Sequence, residues 1–322
     1  MRPLPVVFPL LATASLACTS SDVSEPPGFS TAYVAAPSDA GTPDAGAAEG
    51  GAAADGGAPA AFQAVTGSGP GVAFAVGDDG AAALLSGSTW IPVDTGTTAT
   101  LGGLSMSGGA SALAVELGGA HVLGWNGRAW GGLGADRADR AAAATFGFSL
   151  KDAWVVGNGV EHWDGQSWTQ EVPSGSMYTS IFGSFRTDVW AVGPGGIQHY
   201  DGKAWSAVAA PAGAGALAAV WVSALWDAWF VGAAGTIVHW DGNAMTSVPA
   251  GTTKDLKCVG GTEEDDVWVG GQDGTLLHFD GASWTTYATP AGAGHAVTGV
   301  WRAFDSDVYL VDDTGAITRY VP

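Results

Sequence analysis

Four histidines, His162, His199, His239 and His278, recur at nearly even spacing, and an aspartate precedes each of them: Asp152, Asp188, Asp227 and Asp266, with Asp307 as a fifth copy. Imidazoles and carboxylates are ligands of zinc, so a metal centre is the first chemistry these residue types suggest. A second series, Asp164, Asp201, Asp241 and Asp280, is followed each time by Gly, and the acidic runs Glu263-Glu264-Asp265-Asp266 and Asp78-Asp79 offer the oxygens that calcium takes. The arginines are Arg128, Arg137, Arg140, Arg186, Arg302 and Arg319 apart from Arg2, and a carboxylate-holding pocket would need several of them to converge. Cys18 and Cys258 are the two thiols. What these groups do depends on the elements that hold them.

Those elements repeat. The clearest unit is Asp227-Ala-Trp-Phe-Val-Gly-Ala-Ala-Gly235-Thr-Ile-Val-His-Trp-Asp-Gly242, and taking Val231 as marker the equivalent positions are Val76, Val115, Val156, Val192, Val231, Gly270 and Val311. Successive spacings are 39, 41, 36, 39, 39 and 41, which is the signature of a repeat architecture with seven copies. Each unit reads as four short strands. A glycine between the second and third strands (Gly80, Gly119, Gly159, Gly196, Gly235, Gly274, Gly315) fits a hairpin that needs a positive φ. Asp-Gly between the third and fourth strands, with Asn126-Gly127 and Ser86-Gly87 as variants, is a second hairpin signal. Pro-x-Gly at 173, 211, 249 and 290 closes the unit on an edge strand, where a missing N–H is tolerated.

Four-stranded units of this length, seven times over, predict a seven-bladed β-propeller spanning 59–322. The units resemble the Trp-x-Val-Gly…Trp-Asp-Gly-x-x-Trp repeats of secreted bacterial lipoprotein propellers, a likeness covering about 260 of the 322 residues. Their Asp-Gly-x-x-Trp turn is also distantly similar to the Asp-box of sialidase-like propellers, though one residue shorter between Asp164 and Trp168. The last unit ends at Tyr320-Val321-Pro322 and has no fourth strand of its own. Either Phe29-Ser-Thr-Ala-Tyr-Val-Ala35 folds back to complete it, or the last blade stays incomplete; the Gly and Ala just before Phe62 are poor strand formers and favour the incomplete blade.

Placed on this frame, most of the chemistry dissolves. Histidines on the third strand out sit roughly 15 Å from the axis at about 4.8 Å per strand, too far apart for one ion, so a hydrogen-bonding role between blades is expected and no metal or other cofactor is implied, with calcium on the acidic runs the less favoured exception. The repeated aspartates fit turn capping, the arginines fall at unrelated repeat positions, and Cys258 reads as a small buried hydrophobe on a first strand. Connections of two to five residues leave little room for the elaborated loops on which active sites reside. The exception is the insertion Gly131–Arg140, which with Arg128 holds three bases (Arg128, Arg137, Arg140) and is the first place to expect a contact. Trp221, Trp226 and Trp301, on or just after first strands, are the aromatics placed to line a channel mouth.

Composition and the N-terminus complete the expectation. Eleven Lys plus Arg against 31 Asp plus Glu, net charge −20, exclude a nucleic-acid or polybasic-membrane binder. Met1-Arg2 and the apolar stretch Leu4–Ala17 read as a signal peptide over 1–17. Ser15-Leu16-Ala17-Cys18 resembles a lipobox, which implies lipidation of Cys18 and an outer-membrane lipoprotein; simple secretion is the alternative. Residues 19–58, rich in Ala, Gly, Pro, Ser and Asp, read as a disordered linker. The expected role is a non-enzymatic binding or scaffold module for a protein or envelope component, attached to the membrane by the lipid anchor only, with a carbohydrate-binding or degenerate sialidase-like propeller as the alternative.

Overall fold

A computed structural model describes residues 28–33, 61–69, 71–107, 111–135, 137, 141–225, 227–303 and 307–321. The signal segment, Cys18, most of the expected linker, Trp226 and Arg140 lie outside the described residues. The rest is a seven-bladed β-propeller. Its seven sheets begin with the strands Phe62–Gly69, Leu101–Ser107, Ala142–Ser149, Ser180–Phe185, Leu217–Ala224, Leu256–Glu263 and Val297–Arg302, which define blades 1 to 7. Each first strand contacts the next, and Phe62–Gly69 contacts Val297–Arg302, so the ring closes. Within blades 1 to 6 the strands pair antiparallel in chain order, as short hairpin connections require.

Alternation explains the layering. Second strands such as Asp227–Gly232 and Asp188–Gly193 are buried along their whole length, because each is flanked by strands in its own sheet and by blades on both faces. Fourth strands such as Trp284–Ala288 mix partly buried and exposed residues and have no fully buried one, as an outermost strand should. Blade 3 has a continuous element, Asp152–Trp163, in place of two strands. The rings of Trp154 and His162 in it are nevertheless 4.2 Å apart, whereas eight residues of extended chain would span about 26 Å. The element therefore doubles back, at Gly159 with φ +97°.

The hairpins follow the glycine pattern except in blade 2, where the left-handed residue is Gly118 rather than the expected Gly119, and with one addition. At the turn after Asp227–Gly232, Gly235 has φ +72° and the residue before it, Ala234, is also left-handed at φ +55°; Asp79 and Asp273 repeat this in blades 1 and 6. A side chain at Gly235 would meet the Thr252 carbonyl oxygen at 1.9 Å, so close approach of the loop to the next blade demands glycine as strongly as φ does.

The last blade has four strands, correcting the expected incomplete one. Gly28–Tyr33 pairs antiparallel with Ile317–Val321 as its outermost strand, with Phe29 opposite Tyr320. The strand former lies some thirty residues before Phe62, beyond the Gly/Ala-rich segment, so the composition next to Phe62 does not decide how the blade is completed. Aromatic contacts hold it: Phe29 and Tyr320 rings are 4.6 Å apart, and Tyr33 and Phe62 rings 5.8 Å. Part of the expected linker is thus propeller.

Candidate functional site

In a four-stranded antiparallel blade the first-to-second and third-to-fourth connections emerge on one face, and the second-to-third and blade-to-blade connections on the other. The Asp-Gly turns mark the first face. Each of their aspartates accepts backbone N–H groups two and three residues on: Asp280 from Ala282 and Ser283 at 2.9 and 2.8 Å, Asp201 from Lys203 and Ala204 at 2.9 Å each. Those backbone donors hold the carboxyls of Asp164, Asp201, Asp241 and Asp280 below the usual range.

The second aspartate series does something else. Asp266 begins the second strand of blade 6; its Oδ1 accepts from Trp268 Nε1 at 3.0 Å and faces His278 Nε2 at 2.8 Å, and its Oδ2 accepts from Thr262 Oγ1 at 2.7 Å and Arg302 Nε at 2.9 Å. Register explains the convergence: Trp268 is opposite His278 across the hairpin, with rings 4.2 Å apart and stacked. Burial opposes ionisation of Asp266, yet bonds from His278 and Thr262, the Arg302 charge and the Trp268 bond more than offset it, and the carboxyl is held well below its ordinary range. Asp188 with Ser184, Trp190 and His199, and Asp227 with Ser223, Trp229 and His239, build the same cluster in blades 4 and 5. In blade 3 Asp152 binds His162 at 2.8 Å.

Two expectations are corrected here. These aspartates are bound by side chains rather than by turn N–H groups. The histidines bond within their own blade, because the hairpin register already delivers each to the aspartate that starts the partner strand. The bond between blades belongs to arginine: Arg302 of blade 7 reaches Asp266 of blade 6, and Arg186 of blade 4 reaches Asp152 of blade 3 through Nε. In blade 7 Arg319 stands opposite Tyr309, where the other blades have histidine, and donates to Asp307 at 2.7 Å. Blades 1 and 2 pair Phe74 with Leu84 and Leu113 with Gly124 at this position and have no such cluster.

The expected contact residues are dispersed. Arg128 is exposed on a hairpin turn of blade 2. Arg137, in the insertion where a contact is expected, has a side chain only 3% exposed, its Nε is 2.6 Å from Glu161 Oε2, and its guanidinium lies 5.4 Å from the Trp168 ring. Arg137 tucks inward because Glu161 is buried and requires a cation. Trp221 and Trp301 do line the central channel, a cavity of about 370 Å³ bounded by the first strands of all seven blades. Both are largely buried. Cys258 is buried on its first strand, which pushes its thiol up to about 12. Among the described residues no three His, Cys, Asp or Glu side chains are grouped to hold a metal ion.

No family model and no curated protein matches the chain. Solved structures do. Streptogramin B lyase superposes with a TM-score of 0.70 at 13% identity over 82% of this chain and 94% of that one. The WD40 β-propeller domain of Doa1 gives 0.69 at 11% over 91% and 97%. YCF48 bound to D1 peptide gives 0.65 at 14% over 82% and 94%. These likenesses establish the propeller fold, which is shared by an enzyme and by a protein with a bound peptide.

Proposed function

We propose that this chain is a non-enzymatic binding or scaffold propeller of the bacterial cell envelope, held at the outer membrane through a lipid on Cys18 and recognising a protein or envelope component. The observation that carries the reading is the commitment of its chemical groups to construction. Histidines 162, 199, 239 and 278 and the aspartates they face are bound to each other, to tryptophan N–H groups, to hydroxyls and to arginines, and the Asp-Gly carboxylates cap their own turns. Catalysis draws on groups left poised by their surroundings, and a repeated, saturated cluster is built for rigidity. A rigid scaffold with two faces of short connections suits docking of a partner, and YCF48, with its bound D1 peptide, shows the fold used that way in another protein.

Photo-crosslinking of the full-length chain in intact envelopes, followed by mass spectrometry, tests the reading, with Cys18→Ala as the paired sample. A discrete partner and loss of membrane attachment in Cys18→Ala are expected. Turnover in a broad hydrolase and lyase panel would overturn the binding role; unchanged attachment of Cys18→Ala would overturn the anchor alone.

A further inference from the structure

The first strands are not smooth. In five blades the pairing register skips one residue at the same place: between Phe62 and Ala64, Ala142 and Ala144, Leu217 and Ala219, Leu256 and Cys258, and Val297 and Gly299. The skipped residues, Gln63, Ala143, Ala218, Lys257 and Thr298, all line the central channel. A bulge leaves its residue unpaired and re-aims the side chain, so these five form a ring near the face that carries the blade-to-blade connections.

Lys257 is the charged member of that ring. It is exposed, and among the described residues it makes no ion pair. Its neighbours in the ring, Ala218 of blade 5 and Thr298 of blade 7, are short. Of the carboxylates close by, Asp255 accepts from the Ala234 N–H at 2.8 Å and Asp78 from Gln63 Nε2 at 3.1 Å, and neither is paired with Lys257. Among the described residues the channel lining contains no Asp, Glu or His, although the chain has 31 acids. Its other cation, Arg302, lies at the opposite end and is bound to Asp266 and to the Ala303 carbonyl. Between the two ends Val65, Ile181, Val220, Val259 and Val300 make an aliphatic waist.

We propose that the channel is a binding site for a small organic monoanion, with an apolar body in the waist and a carboxylate on Lys257. The volume, about 370 Å³, suits such a ligand, because small-molecule pockets begin at roughly 300 Å³. The excess negative charge of the molecule is no obstacle: charges farther than about 8–10 Å are largely screened by physiological salt, and the lining itself adds none. Asymmetry separates this from a packing role, since the bulge recurs in five blades and the cation in one. The site goes beyond the docking of a macromolecular partner and stands without it.

The test is calorimetric titration of the full chain with 4-phenylbutyrate and with its neutral amide, 4-phenylbutyramide. Both should bind at one saturable site, the acid about fivefold tighter, the upper range for a partly exposed ion pair. Lys257→Gln should bind acid and amide equally. Moving the ammonium one blade, in Lys257→Gln/Thr298→Lys, should restore the preference, and near-ultraviolet circular dichroism should show all three proteins folded alike. Equal binding of acid and amide by the parent chain, no saturable binding, a preference that persists in Lys257→Gln, or one that stays lost in the double variant would each overturn the proposal.

Discussion

The indole of Trp301 in blade 7 occupies the space that a side chain on Gly67 of blade 1 would need: a Cβ there would fall 2.1 Å from Trp301 Cζ2. A related contact joins Trp221 of blade 5 to Gly261 of blade 6, at 2.9 Å, and Phe146 of blade 3 to Gly183 of blade 4, at 3.3 Å, where the carbonyl oxygens of Asp266 and Asp188 lie closer still. Between blades 6 and 7 both the large residue and the glycine are missing. Gly260 holds the place of Trp221 and Trp301 in blade 6, and the position facing it in blade 7 is Arg302 rather than glycine. Neighbouring first strands are therefore matched in size at these interfaces, and the match at Gly67 seals the ring.

Gly67 has an ordinary extended backbone, so replacing it tests packing without strain in φ. Gly67→Ala should cost about 1–3 kcal/mol in urea unfolding through overpacking. Trp301→Leu should remove most of that penalty when combined with it, although alone it leaves a cavity. A double-mutant cycle with a coupling near zero would refute the contact.

Asp266 joins four donors from three strands of blade 6 and one of blade 7. Asp266→Asn removes the charge that Arg302 and the other donors face, and should destabilise the fold by about 2–4 kcal/mol at pH 7. Asp280→Asn, on an exposed turn, should change stability far less. The folded carboxyl of Asp266 titrates below its unfolded value, so its contribution is complete above the ordinary carboxylate pKa of about 4 and is lost as pH falls through the folded value. The stability gap between parent and Asp266→Asn should hold constant from about pH 5 to 8 and close below about pH 4. A gap that widened on acidification would contradict the cluster.

The propeller was legible because its periodicity is carried by residues with a physical duty in every copy, such as Asp280-Gly281 at a hairpin turn. The within-blade bond was legible in principle: Asp188 to His199, Asp227 to His239 and Asp266 to His278 keep nearly equal separations with a tryptophan two residues after the aspartate, which is what a hairpin partner requires. Arg319 could have been read as a substituted histidine on the same spacing. The bulge ring could not, since Gln63, Ala143, Ala218, Lys257 and Thr298 share a backbone irregularity and no side-chain chemistry. Arg137 was misplaced because a buried ion pair looks, in sequence, like two surface charges 24 residues apart.

That pair makes a further prediction. With both side chains almost fully buried, Arg137→Met should take the cation from beside the buried Glu161 carboxylate and cost about 3–5 kcal/mol. Replacing both, as Arg137→Met/Glu161→Leu, should recover most of the loss, because the desolvation cost disappears with the charges. Thermal and urea unfolding of the three proteins would decide. A double variant as unstable as the single would mean that the pair supplies net stability.

Closure of blade 7 depends on a strand far from it in sequence. Without Gly28–Tyr33, the strand Ile317–Val321 becomes an exposed edge, Tyr320 loses the Phe29 ring and Phe62 loses Tyr33. At roughly 1.5–3 kcal/mol for each aromatic side chain buried, a chain starting at residue 34 should be less stable by about 3 kcal/mol or more. Its free edge should also make it prone to associate. A chain starting at residue 28 keeps the strand and should match the parent. The peptide Gly-Phe-Ser-Thr-Ala-Tyr, added to the shorter chain, should raise its melting temperature in a saturable way, whereas the same peptide with Asp in place of Phe should not. Equal stability of the two truncations would show that the ring closes without its N-terminal strand.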